Sequence, residues 1–403
     1  MSSSQKATVA AAVAATTVTA LPVALVGSMA VLMREELTFS QTQLGVLVAA
    51  FFGAAALASV PISRRLSTAN AASVLVRCAA ASGAVMAGMA VVTSAWWHIL
   101  VFMAIAGVAS VSSQLAANEL IADRVFAHRQ GVAFGLKQAA VPLGTLVAGL
   151  LMPAVGLSLG WRWAFGGAAA LALIVAVVVP VRGTIKTSGG SVARGRARRR
   201  PWIILAIAAG CAGAAGNSLG PFTVDYAVDT GFSTADAGLL LAAGAGAGAI
   251  ARVGAGLVAD RIGRGALLLM IGLLAIGVVG IALLALALSP AMQTVGALMA
   301  FSGAWGWAGV LLLAISRVAI GSVSSAMGIV AVGPLLGAVI GPPAFGWLIE
   351  HVSWTAAWTG MIAVLLIAVL FVILSRREFR VMLLDEAEAQ RTASSGPAEP
   401  LPG

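Results

Sequence analysis

Charge is scarce in this chain. Only 9% of its 403 residues are charged, against about 25% in an ordinary soluble chain. A soluble fold of that composition would need a vast apolar core with almost no polar surface, so it is excluded. Cysteine is nearly absent. Cys78 and Cys211 both lie in apolar runs, which leaves no disulfide framework and no thiolate metal site. Histidine occurs three times and tyrosine once. There is no His-Glu-x-x-His and no Gly-Lys-Ser/Thr phosphate loop, so neither a zinc hydrolase nor a nucleotide-driven motor is expected. The reading is of a non-enzyme with no metal and no cofactor. The apolar runs do not alternate with period two, which excludes a membrane barrel.

What the chain has instead is 60% hydrophobic residues and 47 glycines. Small residues let membrane helices approach closely. Runs near or above the ~20 residues that cross a bilayer occur twelve times. They cover 9–32, 43–62, 70–93, 98–118, 131–153 and 162–181, then 202–224, 236–257, 266–288, 293–314, 320–345 and 354–375. The first run exceeds the roughly 7–15 apolar residues of a signal peptide and is read as a retained span. The expected fold is therefore an all-α membrane protein with twelve transmembrane helices in two six-helix bundles. Residues 1–181 form the first bundle and 202–380 the second. The basic, Gly/Ser-containing segment 182–201 is read as a flexible linker, and 381–403 as a disordered tail.

Lys and Arg in short loops set orientation. One set of loops holds Arg64, Arg65, Arg124, Arg129, Arg261, Arg264, Arg317 and the arginines between Arg194 and Arg200; Arg376, Arg377 and Arg380 follow on the same side. The other set holds only Arg34 and Arg162, beside Glu35, Glu36, Asp225, Asp229, Asp236 and Glu350. Both termini and the linker are thus expected in the cytoplasm, with the protein in a bacterial inner membrane. The net charge of +10 is explained by this bias and by contact with anionic lipid. No nucleic-acid partner is expected, and a monomer suffices.

The halves repeat. An offset of 193 places Gly135 on Gly328, Gly144 on Gly337 and Trp161 on Trp354. Repeated halves belong to secondary transporters, in which one bundle rocks against the other. A tight loop after the eighth run reads Gly256, Asp260, Arg261, Gly263, Arg264. This G-x-x-x-D-R-x-G-R pattern resembles the signature loop of the major facilitator superfamily, which follows the second helix of each half. The resemblance covers about residues 9–375 and implies a conformational latch at those five positions. The first-half counterpart keeps Arg64 and Arg65 but has Ser63 where an acid is expected, so the latch is lopsided. The stretch GLKQAAVPLG, from Gly135 to Gly144, resembles the small-anion carriers related to cyanate transport. It matches the drug antiporters poorly, with Thr145 in place of their second glycine.

Ionisable groups inside spans are costly and mark function. Lys137 in the fifth span and Arg252 in the eighth are the candidate substrate-binding cations; the family resemblance implies that both spans border the central cavity. Gln114 and Asn118 share a face of the fourth span, and Gln138, Asn217 and Trp305 complete the candidate substrate site. Arg77 in the third span is read as a headgroup or latch residue. Glu119 and Asp225 are the candidate proton carriers. The expected function is proton-coupled uptake of a small anion, with drug or metabolite efflux by proton exchange as the alternative.

Overall fold

In a computed structural model of the chain, residues 2–66, 69–179, 199–262, 265–318 and 323–394 are described. The chain enters helix α1 (Ser3–Ser28) through a capping box: the Ser2 hydroxyl accepts from the Gln5 amide, and the Gln5 side chain accepts from the Ser2 amide. This satisfies two orphan donors at once and starts the helix before the apolar run. After a break at Met29, α2 (Ala30–Leu37) caps the bundle. Then follow α3 (Gln41–Leu66), α4 (Ala71–Val92) and α5 (Trp96–Arg124). Asn70 caps α4 by accepting from Ala72 and Ser73.

The fifth span, expected as one helix, is interrupted twice. It comprises α6 (Ala127–Gln138), α7 (Ala140–Leu151), a π-turn at Met152–Gly156 and α8 (Leu157–Leu159). Pro142 and Pro153 lie just beyond the starts of α7 and of the π-turn. Each lacks the N–H that would bond four residues back. Gly160, at φ +93, makes the turn into α9 (Trp161–Val178), a conformation that glycine alone adopts without strain.

The second half comprises α10 (Arg200–Asp229), α11 (Thr234–Ile262), α12 (Ala266–Leu286), α13 (Pro290–Val318), α14 (Val323–His351) and α15 (Trp354–Ser394). Among the described residues, twelve segments are long and apolar enough to cross a membrane. Most of the expected linker, 182–198, lies outside the described residues, but its last two positions already belong to α10. The expected tail needs correction: α15 continues to Ser394. Phe379 packs edge-on against Trp202 at 4.5 Å, Met382 is buried, and Glu378 pairs with Arg200. The Ala, Glu, Gln and Arg that follow are strong helix formers.

Contacts repeat between the halves. α1 packs on α7 as α10 packs on α14, α3 on α5 as α11 on α13, and α4 on α9 as α12 on α15. The sequence repeat has the same physical content. Gly144 faces the backbone of α1, and Gly337 faces that of α10, the equivalent partner.

The bundles meet through α3–α14, α7–α11 and α1–α10. With twelve crossings, the starts of α1 and α10 share one end with the close of α9, here called the linker end. Contacts between bundles are tight at the opposite, far end. A Cβ on Gly45 would lie 2.3 Å from the Pro342 carbonyl oxygen, and one on Gly346 would lie 2.2 Å from that of Gln41. Towards the linker end, α3 and α14 part. A Cβ on Gly53 would be 3.8 Å from Val339, and beyond it Leu57, Val60, Val332 and Leu336 on the facing surfaces are exposed. The molecule is closed at the far end and open between α3 and α14 at the linker end.

Candidate functional site

The broken fifth span creates the central contact. Pro142 cannot donate to the carbonyl of Gln138, four residues earlier, so that oxygen is released from the helical ladder. Arg252 of α11 takes it: its Nη1 donates to the Gln138 carbonyl at 2.8 Å, across the bundle interface. Its Nε donates to the Trp305 carbonyl at 2.8 Å within its own half. The guanidinium also sits 6.0 Å from the Trp305 ring centroid. Trp305 is itself fixed. Its indole N–H donates to the Gly216 carbonyl at 2.7 Å, and its ring meets Phe301 edge-on. Trp305 is thus a buried strut joining α13 to α10.

Lys137 directly precedes the gripped carbonyl. It is 3% exposed, on a segment packed against α1, α5 and α11. The two cations thus flank one peptide unit, Lys137 by sequence and Arg252 by its hydrogen bond to the Gln138 carbonyl. Among the described residues, no carboxylate pairs with either cation. The side chains of Gln138 and Gln114 are half-buried, and Asn118 is exposed. Asn217 turns back on its own helix, donating to the Gly213 carbonyl at 2.8 Å.

The two candidate acids differ in setting. Glu119 is half-buried, and its Oε2 has no hydrogen-bond partner among the described residues. It continues the α5 stripe marked by exposed Val101, Ile105 and Val108. Asp225 lies at the far end, its side chain 2% exposed, and forms an ion pair with Arg34 of the other half. Gln41 completes the cluster: with its amide oxygen turned towards Arg34, it accepts from Arg34 at 2.8 Å and donates to Asp225 at 3.2 Å. The second carboxylate oxygen of Asp225 has no partner. Nearby, the Thr42 amide and hydroxyl donate to Glu350 at 3.1 and 2.5 Å. Residue-level reading of the sequence assigned Arg34, Gln41, Thr42 and Glu350 no role. The available signal was Arg34 itself, one of two cations on the acidic side.

The other such cation, Arg162, is also neutralised. It pairs with Glu36, which accepts from the Trp161 indole at 2.8 Å, while Arg162 Nη2 donates to the Thr93 carbonyl at 2.7 Å. The Arg162 hydrogen bond holds the Glu36 carboxyl below its ordinary range, opposed by partial burial.

The expected latch is partly described. Gly256, Asp260 and Arg261 belong to α11, with Arg261 exposed near its end; Gly263 and Arg264 lie outside the described residues. Gly256 makes no turn, and a Cβ there would meet open space. In the first-half loop, the Ser63 hydroxyl donates to its own helix at Val60.

The model of the Major Facilitator Superfamily matches residues 10–318 and 205–398. No curated protein is significantly similar to the chain. Among solved structures, a bacterial homologue of the human lysosomal transporter Spinster, inward-facing and unoccupied, superposes with a TM-score of 0.72. The identity is 15%, over 94% of this chain and 98% of that one. The same homologue, inward-facing and occupied, gives 0.67 at 15% identity over 93% and 95%. At such identity the likeness is one of fold.

Proposed function

Because this chain belongs to the Major Facilitator Superfamily, a family of transporters and not of enzymes, we propose that it carries a small anion across a bacterial inner membrane by proton-coupled alternating access, as a monomer with the linker end in the cytoplasm. The observation that carries the anionic reading is Lys137, a buried ammonium on the residue just before the carbonyl that the half-buried Arg252 guanidinium grips. Two cations with no carboxylate partner among the described residues are costly away from water. An anion binding between them offsets that cost and gains strongly from both charges. Lys137 contributes the main charge. Arg252 ties the bound anion to the bridge between halves through the Gln138 carbonyl. Gln138 supports the site through its main-chain carbonyl, and Gln114, Asn118, Asn217 and Trp305 line or support it.

The proton-coupling group is Asp225 in this reading, in preference to Glu119. Asp225 spans the bundle interface through Arg34, so its protonation removes an attraction that closes the far end. The latch role of Gly256, Asp260, Arg261, Gly263 and Arg264 at the linker end complements that gate.

Counterflow in proteoliposomes with anionic and cationic candidates, read alongside a proton-sensitive dye, tests the reading. Once a substrate is found, its equilibrium affinity for wild type, Lys137→Ala and Arg252→Lys at fixed pH and salt is decisive. Removing Lys137 should cost about 2–5 kcal/mol in anion binding. Arg252→Lys keeps charge but loses the planar fork and should also weaken binding. Affinities within about twofold across the three proteins would discard the anion site and favour efflux.

A further inference from the structure

A crevice of about 280 Å³ opens at the linker end of the first bundle, where α3 ends and α4 begins. Ile62, Leu66, Val74 and Cys78 give it apolar walls, and Arg65 and Arg77 stand over it. Ser112 of α5 forms part of the lining, but its hydroxyl is already committed to the Val108 carbonyl at 2.6 Å. Among the described residues that line the space, none is acidic.

The crevice opens outward. On α4, Arg77 begins an exposed stripe that continues through Ala81, Ala84 and Val91, positions that share one helical face. On α5, Ser112 is itself buried but lies one turn beyond the exposed stripe of Val101, Ile105 and Val108. Both stripes run to the far end, where the bundles are closed on each other. Their exposed surface there faces hydrocarbon, so the crevice lies on the lipid side of the bundle and outside the transport path.

Its depth fits the membrane interface. Arg77 is six residues into α4, or about 9 Å along the axis. Its Nε donates to the Ser73 carbonyl at 3.2 Å, which turns the guanidinium back towards the start of the helix. Arg65 occupies the last turn of α3. The arginines therefore meet at headgroup level, above walls that accept hydrocarbon. Basic side chains at the membrane surface attract anionic lipid, and guanidinium groups form directed hydrogen bonds to phosphate.

We infer that this crevice binds an anionic phospholipid, with its phosphate between Arg65 and Arg77 and the upper part of an acyl chain against Ile62, Leu66, Val74 and Cys78. The occupant is a lipid and not a soluble anion, because the space is mostly apolar and opens to the bilayer.

Native mass spectrometry of the full-length protein, loaded with equal phosphatidylglycerol and phosphatidylcholine, tests the inference. Wild type should retain phosphatidylglycerol in excess. Arg65→Gln/Arg77→Gln should lower the ratio of the two bound lipids by about threefold or more. Arg376→Gln/Arg377→Gln, which removes exposed cations outside the crevice, should leave it unchanged. An unchanged ratio in the first variant, or equal losses in both, overturns the site. So does displacement of phosphatidylglycerol by millimolar inorganic phosphate, which would reduce it to a soluble-anion site. A second reading needs no arginine variant. In Cys211→Ala protein the remaining thiol is Cys78, and phosphatidylglycerol should slow its alkylation about threefold or more, while phosphatidylcholine does not. Equal rates with the two lipids count against the site.

Discussion

At the scale of single residues, both cations on the acidic side of the molecule are partnered. Arg34 takes Asp225, and Arg162 takes Glu36. The second pair has a defined pH dependence. Glu36 is held below its ordinary value of 4.5, chiefly by the hydrogen bond from Arg162. Its contribution to stability is therefore fully present above that value and is lost as pH falls through the lowered one. Glu36→Gln should flatten the acid side of a thermal-stability profile below about pH 4.5 and change little near neutrality. A variant profile parallel to wild type across the acid range would remove Glu36 as the source. The pairing explains why these two positions stand out from the loop-charge bias. Each exception was visible in the sequence, but its partner was not, because Arg34 and Asp225 are 191 residues apart.

Between helices, the same steric insult should have two different outcomes. A Cβ on Gly337 would lie 2.0 Å from the Gly210 carbonyl oxygen, inside the second bundle. Gly337→Ala should lower thermal stability, by about 1–3 kcal/mol as for other overpacked cores. Gly45 and Gly346 meet the opposite bundle instead. Alanine at either should push the far ends apart, seen as faster labelling of a cysteine introduced on the far face of a Cys78→Ala/Cys211→Ala protein. Stability should fall less than in Gly337→Ala, and equal labelling with a larger stability loss would reject the distinction. The twelve spans were legible because apolar length alone defines a crossing. Their ends were less so. α1 begins at Ser3 and α15 reaches Ser394, because polar residues hydrogen-bond in a helix as well as apolar ones and hydropathy does not register them. Lys137 and Arg252 were legible as rare charges within spans. Their proximity depends on tertiary packing that no local pattern reports.

For the whole molecule, the far end carries an ionic clasp between the halves, Arg34 to Asp225. Arg34→Gln leaves the Asp225 carboxylate buried without its cation, a change that typically costs about 3–5 kcal/mol. It should populate the far-open state. Arg34→Gln/Asp225→Asn removes both charges and should recover much of the closure, as read by the same far-face cysteine. A double variant as open as the single one would show that the clasp does not set the balance. On the other flank, the halves are joined by a bond of a different kind, from the Arg252 side chain to the main chain at Gln138. The atom accepting that bond is common to every amino acid. What makes it available is the proline at 142. Gln138→Ala should therefore leave anion affinity nearly intact, whereas Pro142→Ala, which restores a competing N–H, should weaken it; Kd for the two variants checks this. The residue at 138 can drift through generations without loosening the join, while the instruction for it is inherited four residues away, in a side chain that makes no part of the bond.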